Sequence, residues 1–449
     1  MCSKIKILSL VAVLGFFLGY GQEQRTSIDP ATKEVWTFEE CLSYALDNNL
    51  NVLSAKLSFQ SAEVNLKESK QSRLPSLSGA VSESFTNGTS IDPITSDFVN
   101  QQIWSTSVGL NTQVTLYQGS QLNNQIAQNN LLLNQNSFFV KAAENDVSLS
   151  ILESYLQALY AKEAINVAEN TLESSSRESE IAKARYEAGA IAKRDYADAV
   201  SQMATNQYNL IEAKNNYQAQ VLMLKQMLEL GPEIEFDIQE PDLLDNGAKV
   251  LEEKNEIFRT AMEIQPEIKA SDLDVEVAEK DIQIAKGGYL PSLNLGGSVS
   301  TGYTNTQDLA FYDQFEGNFN QRVSLSLNIP IFSKGTNKAK LENAKIALEQ
   351  AKISRQSEEK AMFEKIDTAW RNALAAQEQL SASLAAQDAA EQSYSLAQKQ
   401  FDVGQISMTD LIVSQNTYTN STQNYIQSKY LSILYSELLE FYKGNPIKL

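Results

Sequence analysis

The scarcity of helix breakers is the strongest constraint on this chain of 449 residues. Neither glycine nor proline occurs in 120–188 or in 336–403, and after one glycine each run continues without breakers, through 190–230 and 405–443. The runs are rich in Ala, Leu, Gln, Glu and Lys, which favour helices. A helix spanning either of the first two runs would be about 100 Å long, far longer than the usual helix of a compact domain. We therefore expect long rods that pack against other long rods.

Between the helical runs, the hydrophobic period changes from about 3.6 to about 2. Apolar residues alternate with Ser, Asn, Gln, Thr and Gly in four predicted strands, at 77–85, 108–116, 293–303 and 323–331. The segments 103–117, 289–303 and 323–333 contain no charged residue, although 21% of the chain is charged. This pattern is typical of transmembrane β-strands that face lipid on one side and a polar lumen on the other. The alternative is the edge of a soluble β-sandwich, where uncharged strands also occur.

Aromatic residues stand near the ends of these predicted strands, where membrane–water interfaces favour them. They are Phe85, Trp104, Tyr117, Tyr289, Tyr303, Phe319 and Phe332. Four strands cannot close a pore, and an open sheet in lipid would leave its edges without hydrogen-bond partners. We therefore expect the chain to oligomerise around its strands, with the long helices continuing into an aqueous compartment.

The two halves of the chain are related as a tandem duplication. Residues 72–84 and 288–300 share a Leu-Pro-Ser-Leu core, and 186–191 resembles 401–406 at nearly the same offset. Each half is predicted to contain a helix, two strands, a very long helix, a glycine turn and a second long helix. The predicted segments are a signal peptide at 1–21, a first repeat at 22–231, a linker at 232–247 and a second repeat at 248–449. Their hairpins are predicted at about 74–117 and 289–333, and their long helices at about 120–230 and 336–443.

The first 21 residues have the features of a secretory signal. Lys4 and Lys6 precede an apolar stretch at 7–18, and glycines follow at 19 and 21. The stretch is short for a membrane span, and a membrane anchor is the alternative. Cleavage would leave Cys41 as the single cysteine, which cannot form an internal disulfide.

Composition excludes several classes of function. The chain has no histidine, which excludes a Ser-His-Asp triad and a His-ligated metal, and its two cysteines are too few for a four-cysteine zinc site. The 37 basic residues are outnumbered by 56 acidic ones, and the net charge of −19 becomes −21 after signal removal. This acid excess argues against nucleic-acid binding. With no catalytic constellation, we expect neither an enzyme nor a cofactor or metal site.

The order, duplication and spacing of these motifs resemble the TolC family of outer-membrane factors over about 36–443. The resemblance rests on the two Leu-Pro-Ser-Leu strand starts, the strand-to-helix corners at 117–119 and 332–335, and the hairpins at 186–195 and 401–410. It implies a homotrimer in which four strands from each protomer form a single 12-stranded transmembrane β-barrel. Long antiparallel helices would continue it as a trimeric α-barrel through the periplasm.

The resemblance also implies partners at the periplasmic end. In the family, an adaptor (membrane fusion) protein meets the helix-turn-helix tips and connects the channel to an inner-membrane transporter. The matching positions here are Gly189, Ala190, Ile191, Gly404, Gln405 and Ile406. The alternative is that the two glycines only permit a tight turn between helices.

A periplasmic gate is the second site that the resemblance implies. The gate and pore positions match Asp195, Asp198, Asp410, Phe401 and Ile406. Copies of an acidic residue around a trimer axis would favour cations. The chain departs from the best-known member at Phe401, Ile406 and Val413, so we expect its closed state to be held differently, by apolar contact. The alternative for each aspartate is a solvated carboxylate at a helix start.

Together these features predict the outer-membrane channel of a tripartite efflux pump or type I secretion system, which exports substrates passively. The alternative is a periplasmic adaptor or structural coiled-coil protein that encloses no channel. Extracellular loops are predicted at about 86–102 and 304–320. Their ligands, and the exported cargo, do not follow from the sequence.

Overall fold

The computed structural model describes residues 34–91, 96–241 and 251–449. The elements are, in chain order, β1 (Val35–Trp36), α1 (Phe38–Asn48), α2 (Leu50–Gln71), β2 (Ser76–Ile91), β3 (Phe98–Gln118), α3 (Gln121–Glu187), α4 (Lys193–Met227), β4 (Asp237–Ile238), α5 (Lys254–Ile264), α6 (Pro266–Gly287), β5 (Ser292–Thr304), α7 (Phe311–Gly317), β6 (Asn320–Asn328), α8 (Thr336–Asp402) and α9 (Met408–Tyr442). The predicted signal peptide and residues 242–247 of the predicted linker lie outside the described residues. The boundaries of the two repeats stay a prediction. None of the helices in the described ranges is long and apolar enough to cross a membrane.

The duplication appears in the helix lengths. Helices α3 and α8 have 67 residues each, α4 and α9 have 35 each, and α2 and α6 have 22 each. The N-termini carry local signals for where a helix begins. The Thr37 hydroxyl accepts from the Glu40 amide while the Glu40 carboxylate accepts from the Thr37 amide, and Pro266 opens α6.

The four long strands form one antiparallel sheet in the order β2-β3-β5-β6. Its register puts apolar residues opposite apolar residues, for example Val81 opposite Val108 and Leu295 opposite Leu325. This apolar face is exposed in the single chain. The opposite face is polar and is linked across strands by hydroxyl pairs, such as the 2.7 Å contact between Ser82 and Ser107. The alternation therefore gives the sheet one apolar and one polar face.

The structure differs in three details from the predicted bounds of strands and loops. Strands β2 and β3 pair as far as Ile91 and Phe98, so most of the predicted loop at 86–102 is strand. The second predicted loop, at 304–320, contains the helix α7. Strand β6 ends at Asn328, before Ile329 and Ile331, because Pro330 has no amide hydrogen to donate to a ladder.

The corner between sheet and helices depends on two glycines. A side chain at Gly119, whose φ is +56°, would put its Cβ 2.3 Å from the carbonyl oxygen of Gly287. A Cβ at Gly287 would lie 2.6 Å from the Gly119 carbonyl oxygen. The start of α3 and the end of α6 therefore approach so closely that neither position accepts a side chain.

A buried core surrounds the middle of the long helices. The short strands β1 and β4 pair in parallel there, and β4 lies within the predicted linker. The Tyr155 hydroxyl of α3 is fully buried and donates to the Gln239 carbonyl at 2.6 Å, beside the Trp36 carbonyl at 3.2 Å. This core ties the N-terminal strand and the segment after α4 to the helical rods.

Candidate functional site

The helical hairpins α3–α4 and α8–α9 end in two glycine turns, and these turns, 188–192 and 403–407, are called the tip below. Gly189 and Gly404 have φ values of +73° and +75°, in the left-handed region. Each glycine amide donates to a carbonyl three residues earlier, and the next amide donates to one five residues earlier. These are the hydrogen bonds of a Schellman helix end, which explains why both long helices stop at a glycine.

The predicted docking residues are divided between the surface and the interior of the tip. Gly189 and Ala190 are exposed, as are Gly404 and Gln405. No atom lies within 4 Å of where a Cβ would stand at either glycine. Ile191 and Ile406 are half-buried instead and pack against a buried cluster. The exposed backbone at the glycines is therefore open to close approach by another chain.

That cluster, called the tip cluster below, draws on all four long helices. Its buried residues are Ala182, Ala199, Tyr394, Phe401, Met408 and Leu411. Phe401, one of the predicted gate residues, is only 4% exposed and lies inside this cluster. Its side chain therefore joins the two hairpins within one chain.

Arg185, in the last turn of α3, links the two hairpins at their ends. Its guanidinium donates to the carbonyl oxygens of Phe401 and Asp402, each at 2.7 Å, and lies 4.8 Å from the centre of the Phe401 ring. These carbonyls belong to the C-terminal end of α8, where a helix carries partial negative charge. We call this contact the arginine clamp. It holds the end of one hairpin to the end of the other.

A buried carboxylate lies near the tip cluster. Glu178 is 5% exposed and accepts a hydrogen bond from the Tyr394 hydroxyl at 2.9 Å, and Gln415 donates to the same hydroxyl at 3.1 Å. Burial raises the pKa of the Glu178 carboxyl, and Tyr394 and Gln398 partly offset this by hydrogen bonding to it. The same burial raises the pKa of Tyr394. Burial therefore favours the neutral form of both side chains.

The predicted gate aspartates have different surroundings. Asp410 closes a capping box, in which its carboxylate accepts from the Ser407 hydroxyl at 2.7 Å and from the Ser407 amide at 3.2 Å. Asp198 forms an ion pair with Arg194 at 3.7 Å on α4. Asp195 lies half-buried in the first turn of α4, where the cap residue supplies no side-chain hydrogen bond. In one chain the three carboxylates therefore stand on two hairpins.

A shallow groove runs between α8 and α9 just beside the tip, with a volume of about 370 Å³. Leu396 and Val413 line it and are more than half exposed. Ile406 and Asp410 border it as well, so one predicted docking residue and one predicted gate residue share this groove.

Sequence reasoning missed Arg185 and Glu178. A usable signal was present, because both residues contact partners 216 positions later, at Phe401 and Tyr394. That separation is within one residue of the offset between the two repeats. Near the tip, side chains of α3 thus reach α8 close to the repeat-equivalent position, and this spacing is the signal that could have indicated both residues.

Comparison with known families decides what kind of protein carries this site. The family model described as "Outer membrane efflux protein" matches residues 41–229 and 258–438. The chain belongs to this family. The predicted outer-membrane efflux channel, with helices in the periplasm, is confirmed at that level, and members of the family are channel proteins.

Curated relatives in the outer membrane efflux protein family are distant. The chain is 22% identical to the outer membrane efflux protein BepC of Brucella suis over 383 residues, covering 85% of this chain and 79% of that protein. It is also 22% identical to the outer membrane protein TolC of Escherichia coli over 289 residues, covering 63% of this chain and 58% of that protein.

Solved structures agree with the fold. A membrane protein from Pseudomonas aeruginosa superposes with a TM-score of 0.78 at 18% identity, covering 91% of this chain and 90% of that chain. The outer membrane protein VceC of Vibrio cholerae superposes with a TM-score of 0.76 at 17% identity, covering 92% of this chain and 97% of that chain. The predicted fold class, long helices joined to a four-stranded share of a β-barrel with an internal repeat, is confirmed.

Proposed function

We propose that three copies of this chain assemble into the passive exit duct of a tripartite efflux pump or type I secretion system. The observation that carries the proposal is the four-stranded sheet. Within the described residues, its outer strands β2 and β6 each pair on one side only, and its apolar face is exposed. Three such sheets joined edge to edge make twelve strands, with no free edge in lipid. The 67-residue helices reach about 100 Å from the sheet into the periplasm.

Assembly is tested by native mass spectrometry of protein extracted from the outer-membrane fraction in mild detergent. We expect a trimer that resists dissociation by detergent. A monomer recovered from the soluble periplasmic fraction would overturn the proposal and favour the adaptor or structural coiled-coil protein. In the duct, energy for export comes from an inner-membrane transporter, and the chain itself performs no chemistry.

The tip is the surface we propose for an adaptor. Its turns carry Gly189, Ala190, Gly404 and Gln405 on the exposed side, and Ile191 and Ile406 are the half-buried residues beneath them. Leu396, Ile406 and Val413 line the adjoining groove between α8 and α9 with apolar side chains, which the apolar face of an amphipathic helix can contact. Backbone exposed at two glycines lets a partner helix come closer than a side chain would allow.

Adaptor docking is tested with Gly404→Ala, measured as capture of the channel by a purified periplasmic adaptor. The matched control is Gly335→Ala at the other end of α8, where φ is +82° and no atom lies within 4 Å of a Cβ. Both variants carry the same left-handed strain, of about 1–2 kcal/mol. We expect Gly404→Ala to reduce capture at least several-fold while Gly335→Ala leaves it unchanged. Equal capture by the two variants would remove the tip from the docking surface.

We also propose that the tip forms the gate, with Asp195, Asp198 and Asp410 contributing negative charge to the entrance. Phe401 and Ile406 act differently, since they pack inside the chain and hold the two hairpins together. Replacing Asp195 by Asn, compared with the same change at exposed Asp402, tests the charge role. We expect a loss of cation selectivity in planar bilayers only for Asp195→Asn, and unchanged selectivity would exclude it from the pore.

A further inference from the structure

The short helix α7 lies within the predicted extracellular loop at 304–320, and its position follows from the sheet. Strand β6 begins at Asn320, so the last residues of β5 have no β6 neighbour. Helix α7 covers that edge instead. The side chain of Gln314, only 1% exposed, accepts from the Thr304 amide at 2.9 Å and donates to the Thr304 carbonyl at 3.0 Å. Asn318 donates to the Gly302 carbonyl at 2.8 Å.

The helix leans toward the apolar face of the sheet. Thr301 and Tyr303 belong to that face, because they pair with Val108 and Thr106 in the register that also carries Val299 and Leu295. The Thr301 hydroxyl donates to the Phe315 carbonyl at 2.6 Å, and the Tyr303 ring lies 5.2 Å from the Phe311 ring. Phe311 in turn stacks on Phe315 at 4.4 Å.

The residues that pair with Tyr303 across the strands indicate how deep in the membrane this contact lies. Tyr303 pairs with Thr106, and Thr106 pairs with Glu83, so a carboxylate shares the row and the face. The next row on that face holds Phe85 and Trp104, whose ring centres are 5.1 Å apart. A charged side chain on the lipid face is costly at the membrane centre and nearly neutral close to the headgroups. A carboxylate beside aromatic rings therefore indicates the membrane–water interface.

We infer that α7 is an interfacial anchor, which lies on the outer face of the β-barrel and inserts Tyr312 into the headgroup region of the outer leaflet. Tyr312 is 84% exposed in the chain, on a helix whose other aromatic rings already pack on the lipid-facing side. Lipid is the expected neighbour of Tyr312 because the aromatic rings of the helix pack on Tyr303, which lies on the same face of the sheet as Phe85 and Trp104. The inference rests on the proposed barrel, and it places the second loop outside the channel mouth.

The experiment uses nitroxide spin labels in the full-length channel reconstituted in vesicles of phospholipid and lipopolysaccharide. Single cysteines are introduced at Tyr312, at Leu325 on the apolar face and at Ser300 on the polar face, in a background with the buried Cys41 replaced by alanine. Collision of each label with oxygen, which concentrates in lipid, is compared with collision with a water-soluble nickel chelate. We expect the oxygen-to-nickel ratio at position 312 to be several-fold above that at position 300 and below that at position 325, which lies deeper in the sheet.

Other outcomes separate the possible failures. A label at position 312 that collides mainly with nickel lies in water or over the channel mouth, and overturns the inference. A label shielded from both reagents lies against a second copy of the chain, and overturns it as well. If the label at position 325 also fails to collide with oxygen, the proposed barrel itself is wrong. Should Tyr312→Cys not assemble, Tyr312→Trp gives a second readout, because we expect lipids brominated near the headgroup to quench its added fluorescence.

Discussion

Removal of the arginine clamp should make the periplasmic end of the channel open more often. The clamp is the contact in which Arg185 of α3 donates to the Phe401 and Asp402 carbonyls at the end of α8. Because α3 and α8 come from different repeats, breaking it frees one hairpin to move away from the other. We predict that Arg185→Ala raises the open probability of the purified channel.

The size of the effect follows from the contacts. A hydrogen bond from a charged donor contributes about 1.5–3 kcal/mol when it is well buried, and a cation over an aromatic ring adds about 0.5–1 kcal/mol. Arg185 is only half-buried, so solvent reduces both contributions. We estimate about 2 kcal/mol for the whole clamp, which corresponds to roughly a 30-fold change in the ratio of open to closed tips. Arg185→Lys keeps the charge but cannot donate to both carbonyls in the same geometry. Its ratio of open to closed tips should therefore lie between those of the parent channel and Arg185→Ala.

Single-channel recording in planar bilayers measures this ratio directly. The matched control is Arg177→Ala on the same helix, because Arg177 is exposed and its ion pair is with Glu173, four residues earlier on α3. That variant loses the same charge without touching the second hairpin, and it should behave as the parent channel. If Arg185→Ala opened no more often than Arg177→Ala, the clamp would not be what holds the tip closed.

Three further predictions concern the tip, the sheet and the core. Because burial raises the pKa of Glu178, the folded chain keeps a proton that the unfolded chain has lost, so stability is greatest below the ordinary glutamate pKa and falls as pH rises through the raised one. Thermal melting at pH values from below the ordinary glutamate pKa to above the raised one should show that Glu178→Gln makes stability depend less on pH. Glu180→Gln, at an exposed position of the same helix, should not have this effect. On the apolar face, Leu325→Arg should destabilise the channel by about 2–4 kcal/mol in urea unfolding in lipid, and Ser324→Arg on the polar face should cost far less; equal costs would contradict the assignment of the faces. In the core, Tyr155→Phe removes the donor to the Gln239 carbonyl and should lower the free energy of unfolding by about 1–3 kcal/mol, a loss that thermal melting would detect.

Long-range periodicity made most of the fold predictable. Runs without breakers anticipated α3 and α8 to within a residue or two, because few interactions other than a glycine or proline end such a helix. Alternation found the four strands but not their full length. Residues 86–90 of β2 have no apolar side chain on either face, so the pairing of this part with β3 leaves no alternating hydrophobic signal. Helix α7 has only seven residues and depends on the buried Gln314 side chain, a tertiary contact that no local pattern encodes.

The site residues were predictable by position but not by role, because the repeats share geometry and differ in chemistry. Arg185 has Gln400 as its counterpart one repeat later. The arginine clamp therefore runs from α3 to α8, and the second repeat has no arginine at the equivalent position to form the reverse contact. Likewise Asp410 is held by Ser407, whereas the equivalent cap position of α4, Ala192, supplies no side chain to hold Asp195.

This asymmetry bears on which carboxylate can serve a pore. A carboxylate that accepts two hydrogen bonds from its own helix start already has a structural task, and its charge is partly compensated there. Asp195 lacks that serine partner and stands at the same level of the duct, in the other hairpin. Duplication therefore supplied two equivalent acidic positions, and divergence at the cap left Asp195 as the better candidate for a cation-attracting ring.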